Sequence, residues 1–245
     1  MAAASDRHEG SCRLGVLAFG DSITNGGGEL QWGVALQSWA LWTARGLGLP
    51  FTPYAVDGAT ASDVTSRQIP AFLRFNAAPA ARYQLGCVYL GTNDVRAPGW
   101  DPDSFGAHLE QALAFVRERC ERVLTATIPL DLGRPRTGAQ RVQEANAEIE
   151  RAAGAHQALV LDLRGFGARN LIMVDHVHPT AFGQIAIAER ALALLERDGM
   201  TLRVHPSQLI FYSPSRLGRL RGDLTYLSRH ALVSARAALI ERRPY

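Results

Sequence analysis

Short apolar runs alternate with longer amphipathic stretches along most of the chain. Five strands are predicted from apolar runs at residues 14–19, 51–56, 85–90, 123–128 and 158–163. These runs are continuously apolar, which is typical of strands buried on both faces. Helical spacing of apolar residues predicts helices at residues 31–45, 62–73, 102–119, 138–155 and 179–197. Strands separated by helices indicate right-handed βαβ units, so we expect a parallel sheet covered by helices.

Three residues refine the ends of these elements. Pro53 interrupts the second apolar run and predicts a weaker strand there. Ser62 is a candidate N-cap for the second helix, because its hydroxyl can accept a bond from a free backbone N–H. Pro179 is expected in the first turn of the last helix, where a missing N–H costs little.

The βα pattern ends near residues 199–207, so we expect one domain over residues 1–200 and an extension over residues 201–245. Eight arginines of the extension face only Asp223 and Glu241. Residues 224–240 predict an amphipathic helix whose apolar stripe packs on the domain or on a second subunit, giving a homo-oligomer. The alternative is an arm for a membrane surface or nucleic acid. No recognition motif supports that arm, so no nucleic-acid partner is expected.

Composition narrows the class of protein. A chain of 245 residues with 47% hydrophobic and 20% charged residues is typical of a globular protein with a full core. The chain has no apolar run near the ~20 residues that span a bilayer, and its first residues lack the features of a secretory signal. Cys12, Cys87 and Cys120 are far apart and without metal-ligand spacing. We therefore expect a cytoplasmic protein with no disulfide, metal or cofactor.

Candidate chemistry lies just past the predicted strands. In an open parallel sheet, ligands bind outside the carboxyl ends of the strands. The sequences found there are GDSIT (20–24), DGAT (57–60) and GTND (91–94), and DHVHP (175–179) precedes the last helix. Together they supply a hydroxyl, N–H donors, a carboxylate and imidazoles, which are the groups that acyl transfer requires.

These four blocks, in this order and approximate spacing, resemble the characteristic blocks of the SGNH hydrolases, also called the GDSL esterase/lipase family. One block alone would be a weak signal, but four blocks at strand ends are specific, and the resemblance spans residues 14–195. It implies a flavodoxin-like three-layer α/β/α fold with hydrolysis at the strand ends. No GxSxG surrounds Ser22, which argues against an α/β-hydrolase nucleophile elbow.

The resemblance also implies a role for each matching residue. Ser22 matches the nucleophile, His178 the base and Asp175 the carboxylate that orients it. The oxyanion hole matches the backbone N–H groups of Ser22 and Gly58 and the side-chain amide of Asn93. Relatives often carry an Asn shortly before the block-two glycine, where this chain has proline.

Each site residue also has a structural alternative. Ser22 is a candidate cap for the following turn, Asn93 could stabilise a turn through its own backbone, and Gly58 could serve its backbone angles alone. Asp21 and Asp94 are expected to hold their loops. His176 is the rival of His178 as base.

Several aromatic and histidine side chains complete this set. Trp32 and Trp100 are candidates to line the substrate pocket. The remaining histidines are interpreted as surface or core residues: His8, His108, His156, His205 and His230.

The sequence therefore predicts a serine esterase that hydrolyses small or short-chain acyl or acetyl esters through an acyl-enzyme on Ser22. An acyltransferase that uses the same triad with an alcohol acceptor remains the alternative. A non-catalytic binding module would be expected to have lost a triad residue, and this chain has lost none.

Overall fold

The computed structural model describes residues 14–31, 34–75, 82–168 and 170–210, together with positions 224, 227–228, 231–232 and 235. Its centre is a five-stranded sheet in the order β2-β1-β3-β4-β5. All neighbouring strands are parallel: β1 (Val16–Gly20), β2 (Phe51–Pro53), β3 (Tyr83–Tyr89), β4 (Cys120–Ala126) and β5 (Leu159–Leu161). This is the flavodoxin-like strand order, and it confirms the predicted fold class.

Helices cover both faces of the sheet. They are α1 (Ser22–Asn25), α2 (Trp39–Leu47), α3 (Ala61–Asp63), α4 (Ile69–Phe75), α5 (Pro102–Arg119), α6 (Ala139–Ala155) and α7 (Ala181–Arg197). A π-helical segment, Val64–Gln68, joins α3 to α4. Helix α2 packs against α7, and α5 packs against α6. The strands between these layers are buried; residues 16–19 of β1 are 0% exposed, as their continuous apolarity predicts.

The sheet places the candidate site. The chain runs from β1 outward to β2 and then returns to add β3 on the other side of β1. A crevice forms where the strand order reverses, outside the carboxyl ends of β1 and β3. GDSIT follows β1 and GTND follows β3, so the fold brings these two blocks to the same crevice.

Several predicted elements have different bounds in the structure, and two of the differences have a clear local cause. Helix α2 begins at Trp39 rather than at residue 31, because the Ser38 hydroxyl caps it by accepting from the Leu41 N–H at 3.1 Å. Strand β2 ends at Pro53 instead of residue 56. Since β2 is an edge strand, a residue without an N–H is tolerated at its end.

Two predicted helix starts were also wrong. Thr60, not Ser62, caps α3: its hydroxyl accepts from the Asp63 N–H at 3.3 Å, and the Asp63 carboxylate accepts from the Thr60 N–H at 3.0 Å. This reciprocal pair is a capping box. Helix α7 begins at Ala181 after its cap Thr180, so Pro179 precedes the helix instead of lying in its first turn.

The predicted extension begins on the body of the domain. The N–H groups of Arg203 and Val204 donate to the carbonyl of Gly46 at 2.8 and 3.1 Å. Farther along, Leu224, Leu227 and Leu232 are helical and exposed. Most of the extension, including Leu239 and Ile240 of the predicted apolar stripe, lies outside the described residues, so the boundary and the homo-oligomer stay predictions. No helix in the described ranges is both long enough and apolar enough to cross a membrane.

Candidate active site

Ser22 lies at the carboxyl end of β1, in the first position of α1. The carboxylate of Asp21 caps that helix, because its Oδ1 accepts from the Ile23 N–H at 2.9 Å. Ser22 is therefore not the cap, and its hydroxyl is available for another partner. Gly20 allows the sharp entry into this turn: its φ is +147°, and a Cβ there would lie 2.6 Å from the carbonyl oxygen of Tyr89.

A chain of two hydrogen bonds joins Ser22 to the loop before α7. Ser22 Oγ lies 2.9 Å from Nε2 of His178, and Nδ1 of His178 lies 2.7 Å from Oδ2 of Asp175. The other oxygen of Asp175 accepts from the N–H groups of Val177 and His178 at 2.9 and 3.1 Å. The structure thus brings together the three residues predicted as nucleophile, base and orienting carboxylate. Ser22 and His178, which are hydrogen-bonded, are 156 positions apart in the sequence.

The electrostatics of this pair favour a protonatable imidazole held by a charged carboxylate. The hydrogen bond that His178 donates to Asp175 raises the pKa of His178 above its ordinary value of 6.5, and this outweighs the effect of partial burial. Burial works to raise the pKa of Asp175. The hydrogen bonds that this carboxylate accepts from His178 and from two backbone N–H groups outweigh burial, so its pKa is lowered.

The predicted oxyanion residues lie on two neighbouring loops. The side-chain amide of Asn93 donates to the carbonyl of Ala59 at 3.0 Å, so the GTND loop is bonded to the residue after Gly58. Gly58 is exposed with φ +76°, and a Cβ there would meet no atom within 4 Å. Glycine is therefore favoured by the left-handed backbone conformation and not by a lack of room for a side chain. Asn93 bonds to the other loop rather than to its own backbone, in contrast to the turn-stabilising alternative.

Two buried carboxyl groups lie behind these loops. Asp94 Oδ1 accepts from the Ala61 N–H at 2.9 Å and ties the GTND loop to α3. Within the described part of the chain, the second carboxyl oxygens of Asp94 and Asp21 are buried without a hydrogen-bond partner. Burial raises the pKa of Asp21 to about 7 and also raises that of Asp94. Burial therefore favours the neutral form of the Asp21 carboxyl well above the pH at which an exposed aspartate ionises.

Gln68, which the sequence analysis did not single out, clamps the residue before this turn. Its side chain is 3% exposed and lies in the π-helical segment. Oε1 accepts from the Gly20 N–H at 3.1 Å, and Nε2 donates to the Gly20 carbonyl at 2.8 Å. Single π-helical turns inside helices occur frequently at functional sites. Here the π-helical segment carries the amide that fixes the end of β1.

Gln184 holds the other side of the nucleophile turn and was also missed. Its amide is fully buried on α7 and donates to the carbonyls of Ile23 and Gly27, both at 3.0 Å. Its oxygen accepts from the Trp39 N–H at 2.7 Å. A polar residue on the apolar face of an amphipathic helix was the one sequence signal, because a buried amide needs partners.

His176, the rival base, is bonded elsewhere. Its Nδ1 lies 3.0 Å from Oδ2 of Asp131, and its φ is +54°. Its carbonyl accepts from the Gly133 N–H at 2.9 Å. The imidazole that faces Ser22 is therefore His178, while His176 is bonded to Asp131 and Gly133 of the loop between β4 and α6.

The remaining candidates have structural surroundings. Trp100 donates to Glu144 at 2.9 Å and packs on Phe105 with ring centroids 5.5 Å apart. His108 contacts Thr65, and His205 contacts Glu189. Trp32, His8 and His230 lie outside the described residues. Among the residues that the structure does describe, no group of three His, Cys, Asp or Glu side chains is arranged to hold a metal ion.

Comparison with known proteins follows the same blocks. The model of the GDSL-like Lipase/Acylhydrolase family matches residues 18–186, which is more than half of the chain. That range contains all four blocks. No curated protein sequence matches the chain.

Solved structures share the fold. A lipolytic protein of the G-D-S-L family from Veillonella parvula is 23% identical, with TM-score 0.58 and coverage of 74% of this chain and 98% of that one. The acetylxylan esterase Axe2 from Geobacillus stearothermophilus is 18% identical, with TM-score 0.55 and coverage of 75% and 96%. LAE5, an alpha/beta hydrolase enzyme from the metagenome of Lake Arreo, Spain, is 18% identical, with TM-score 0.58 and coverage of 74% and 94%. At these identities the likeness extends to the fold.

Proposed function

The chain belongs to the GDSL-like lipase/acylhydrolase family and is a carboxylic-ester hydrolase, and from this premise we propose a serine esterase with an acyl-enzyme on Ser22. Its substrates are esters of small or short-chain acyl groups, including acetyl esters. The observation that carries the proposal is the continuous bonding from Ser22 Oγ through His178 to Asp175, at 2.9 and 2.7 Å.

Acylation begins with proton transfer from Ser22. Nε2 of His178 accepts the hydroxyl proton while Oγ attacks the ester carbonyl, and the carbonyl electron pair moves onto oxygen. Asp175 accepts from Nδ1, which fixes the tautomer that leaves Nε2 free and stabilises the imidazolium that forms. The imidazolium then protonates the leaving alcohol as the C–O bond breaks, and the acyl group stays on Ser22.

We assign three donors to the oxyanion: the backbone N–H groups of Ser22 and Gly58, and the amide of Asn93. An amide carries two N–H donors. One of those on Asn93 goes to the Ala59 carbonyl, which leaves the second for the oxyanion. Fixed donors of this kind stabilise the charge that develops in the transition state without reorganisation. Water, activated by His178, then attacks the acyl carbon and releases the acid.

The preference for small acyl groups rests on the loops around Ser22. The nucleophile follows β1 by two positions, and α3 begins at Ala61, shortly after the end of β2 at Pro53. Within the described residues these connections form no long segment that would cover an extended chain. Ser22 is only 8% exposed at the end of this short connection, and a narrow approach of this kind suits a small ester.

A covalent probe tests the nucleophile. A fluorophosphonate is expected to label Ser22 at one equivalent, and Ser22→Ala is expected to lose both labelling and hydrolysis. Ser66→Ala is the matched control, because Ser66 is exposed and donates to the Ser62 carbonyl at 2.7 Å. Full labelling in Ser22→Ala would refute the assignment.

A substrate series tests the acyl group. The p-nitrophenyl esters from acetate to decanoate are expected to give the largest kcat/KM at two to four carbons. Adding methanol or glycerol distinguishes the two reactions that one triad supports. Release of free acid as the main product supports the esterase, whereas a transferred ester as the main product supports the acyltransferase.

A further inference from the structure

Arg96 stands directly beside the proposed oxyanion donor. The turn Asp94–Arg96 follows Asn93, and the Arg96 N–H donates to the Asn93 carbonyl at 3.2 Å. Arg141 of α6 donates to the carbonyls on either side of Arg96, those of Val95 at 3.4 Å and Ala97 at 3.0 Å. The backbone of Arg96 is thus fixed, while the residue itself is exposed.

The side chain of Arg96 lies near the loop between β4 and α6, which is hydrogen-bonded to the DHVHP segment. A Cβ built on Gly133 would lie 3.8 Å from Nε of Arg96. Gly133 in turn donates its N–H to the His176 carbonyl at 2.9 Å. The positive charge of Arg96 also acts to lower the pKa of His178, in opposition to Asp175. Arg96 therefore flanks the imidazole that serves Ser22.

Two other arginines near this rim are already paired with a carboxylate. Asp131 accepts from Arg134 at 3.1 and 3.0 Å and from Arg136 at 3.1 Å, so one carboxylate serves two guanidinium groups. Arg96 forms no ion pair with any residue in the described ranges. Asp57 is exposed and accepts from the Asn25 amide at 2.8 Å, on the loop that follows β2.

We propose that Arg96 binds an anionic group, a carboxylate or a phosphate, on the alcohol portion of the ester. The inference rests on the proposed function, because it uses the direction of proton transfer. The leaving oxygen takes its proton from His178, so the alcohol portion must pass this imidazole and meet the Arg96 side. A planar guanidinium presents paired N–H donors that match carboxylate and phosphate oxygens.

Three phenyl acetates of matched shape provide the test: 4-acetoxybenzamide, 4-acetoxybenzoate and 4-acetoxyphenyl phosphate. The amide is neutral and nearly isosteric with the carboxylate. The measured quantity is the ratio of kcat/KM for each anionic ester to that for the amide. Because the leaving phenols are the same for every variant, their differing acidities cancel when variants are compared.

Arg96→Gln is expected to lower both ratios by roughly 3- to 10-fold, as for loss of one charge-assisted contact at a partly exposed site. Arg96→Glu is expected to lower them further. Arg203→Gln is the matched control, since it removes the same charge from an exposed residue beside Gln84 and Glu121, at the opposite end of the strands. In the unmodified enzyme the ratios are expected to fall as salt is raised, and this dependence weakens in Arg96→Gln.

The outcomes separate this inference from the proposed function. A drop confined to the phosphate ester or to the carboxylate ester identifies which anion the site takes. Ratios that stay unchanged in both Arg96 variants, with Ser22 still labelled by the fluorophosphonate, would overturn the Arg96 assignment and leave the esterase intact. Loss of labelling at Ser22 in the unmodified protein would overturn the proposed function itself.

Discussion

Nδ1 of His176 lies 3.0 Å from Oδ2 of Asp131, so the first histidine of the DHVHP segment has a carboxylate partner of its own. The second histidine, His178, is paired with Asp175 at 2.7 Å. Two His–Asp pairs therefore stand side by side, and only the second also contacts Ser22. The two histidines of this segment therefore have different hydrogen-bond partners, although they are two positions apart.

We expect this difference to appear in kinetics. His178→Ala is predicted to lower kcat by roughly three or more decades, because it removes the base that accepts the Ser22 proton. His176→Ala leaves that base in place and is predicted to lower kcat by about tenfold or less, through loosening of the loop. Steady-state kinetics on p-nitrophenyl acetate compare the two. An inactive, folded His176→Ala protein would show that the base had been assigned to the wrong histidine.

The pH profile reports the His178–Asp175 pair. His178 must be neutral to accept a proton, and its pKa is raised above the ordinary 6.5 chiefly by the hydrogen bond to Asp175. The acid limb of kcat/KM is therefore predicted to have its midpoint above pH 6.5. Asp175→Asn is predicted to move the midpoint of the residual activity downward and to lower kcat by roughly three to four decades. A midpoint that stays in place in Asp175→Asn would contradict this.

Stability is predicted to depend on the buried carboxyl of Asp21. Burial raises its pKa from 3.8 to about 7, so between those values the folded chain holds a proton that the unfolded chain releases. This contribution is complete below about pH 4 and is lost as pH rises through 7. Asp21→Asn stays neutral and keeps an oxygen for the Ile23 N–H. The Tm of the variant minus that of the unmodified protein is expected to be larger at pH 8 than at pH 5. The reverse order would mean that Asp21 is charged in the fold.

Asn93→Ala tests the oxyanion donor. Loss of one such donor is predicted to lower kcat by about two to three decades with little change in KM, because the bond strengthens only as charge develops. Asn93→Asp is a useful companion, since it keeps the size of the side chain but removes the amide donors. A change confined to KM would assign Asn93 to substrate positioning.

Gln184→Leu tests the clamp on the nucleophile turn. The change leaves two carbonyls and one N–H without their partner, and each unsatisfied buried group costs about 1–3 kcal/mol. We expect a lower Tm and slower fluorophosphonate labelling of Ser22, because the turn that carries Oγ is no longer fixed. Gln143→Leu on the exposed face of α6 is the control. Labelling at the unmodified rate in folded Gln184→Leu would restrict this residue to stability alone.

The sequence carried the information for the sheet and for the first contacts of the site. Residues 16–19 are continuously apolar because helices cover both faces of β1, so the pattern predicts a buried parallel strand. Ser22 and Asn93 could be assigned to one crevice because both follow neighbouring strands of a parallel sheet. Such inferences need only local pattern and topology.

The amides behind the site could not be found in this way. Gln68 and Gln184 bond to backbone groups 48 and 161 positions away, and a glutamine within a helix looks like a surface residue until its packing is known. The helix predicted from residue 31 failed for a related reason. Its apolar spacing extends to residues before Ser38, but the N-cap at Ser38 makes the helix begin only at Trp39.

The hydrogen bonds of Gln184 join a turn near the start of the domain to a helix that is synthesised much later. Synthesis delivers the turn at Ser22 early, but Ile23 and Gly27 receive their donor only after α7 has emerged. A nascent chain that stops at the end of β5, Leu161, has the nucleophile but lacks both the base His178 and the amide of Gln184. If the loop between α6 and β5 were cut, one fragment would carry Ser22 and the other Asp175 and His178. Ester cleavage would then report the reassembly of the two fragments.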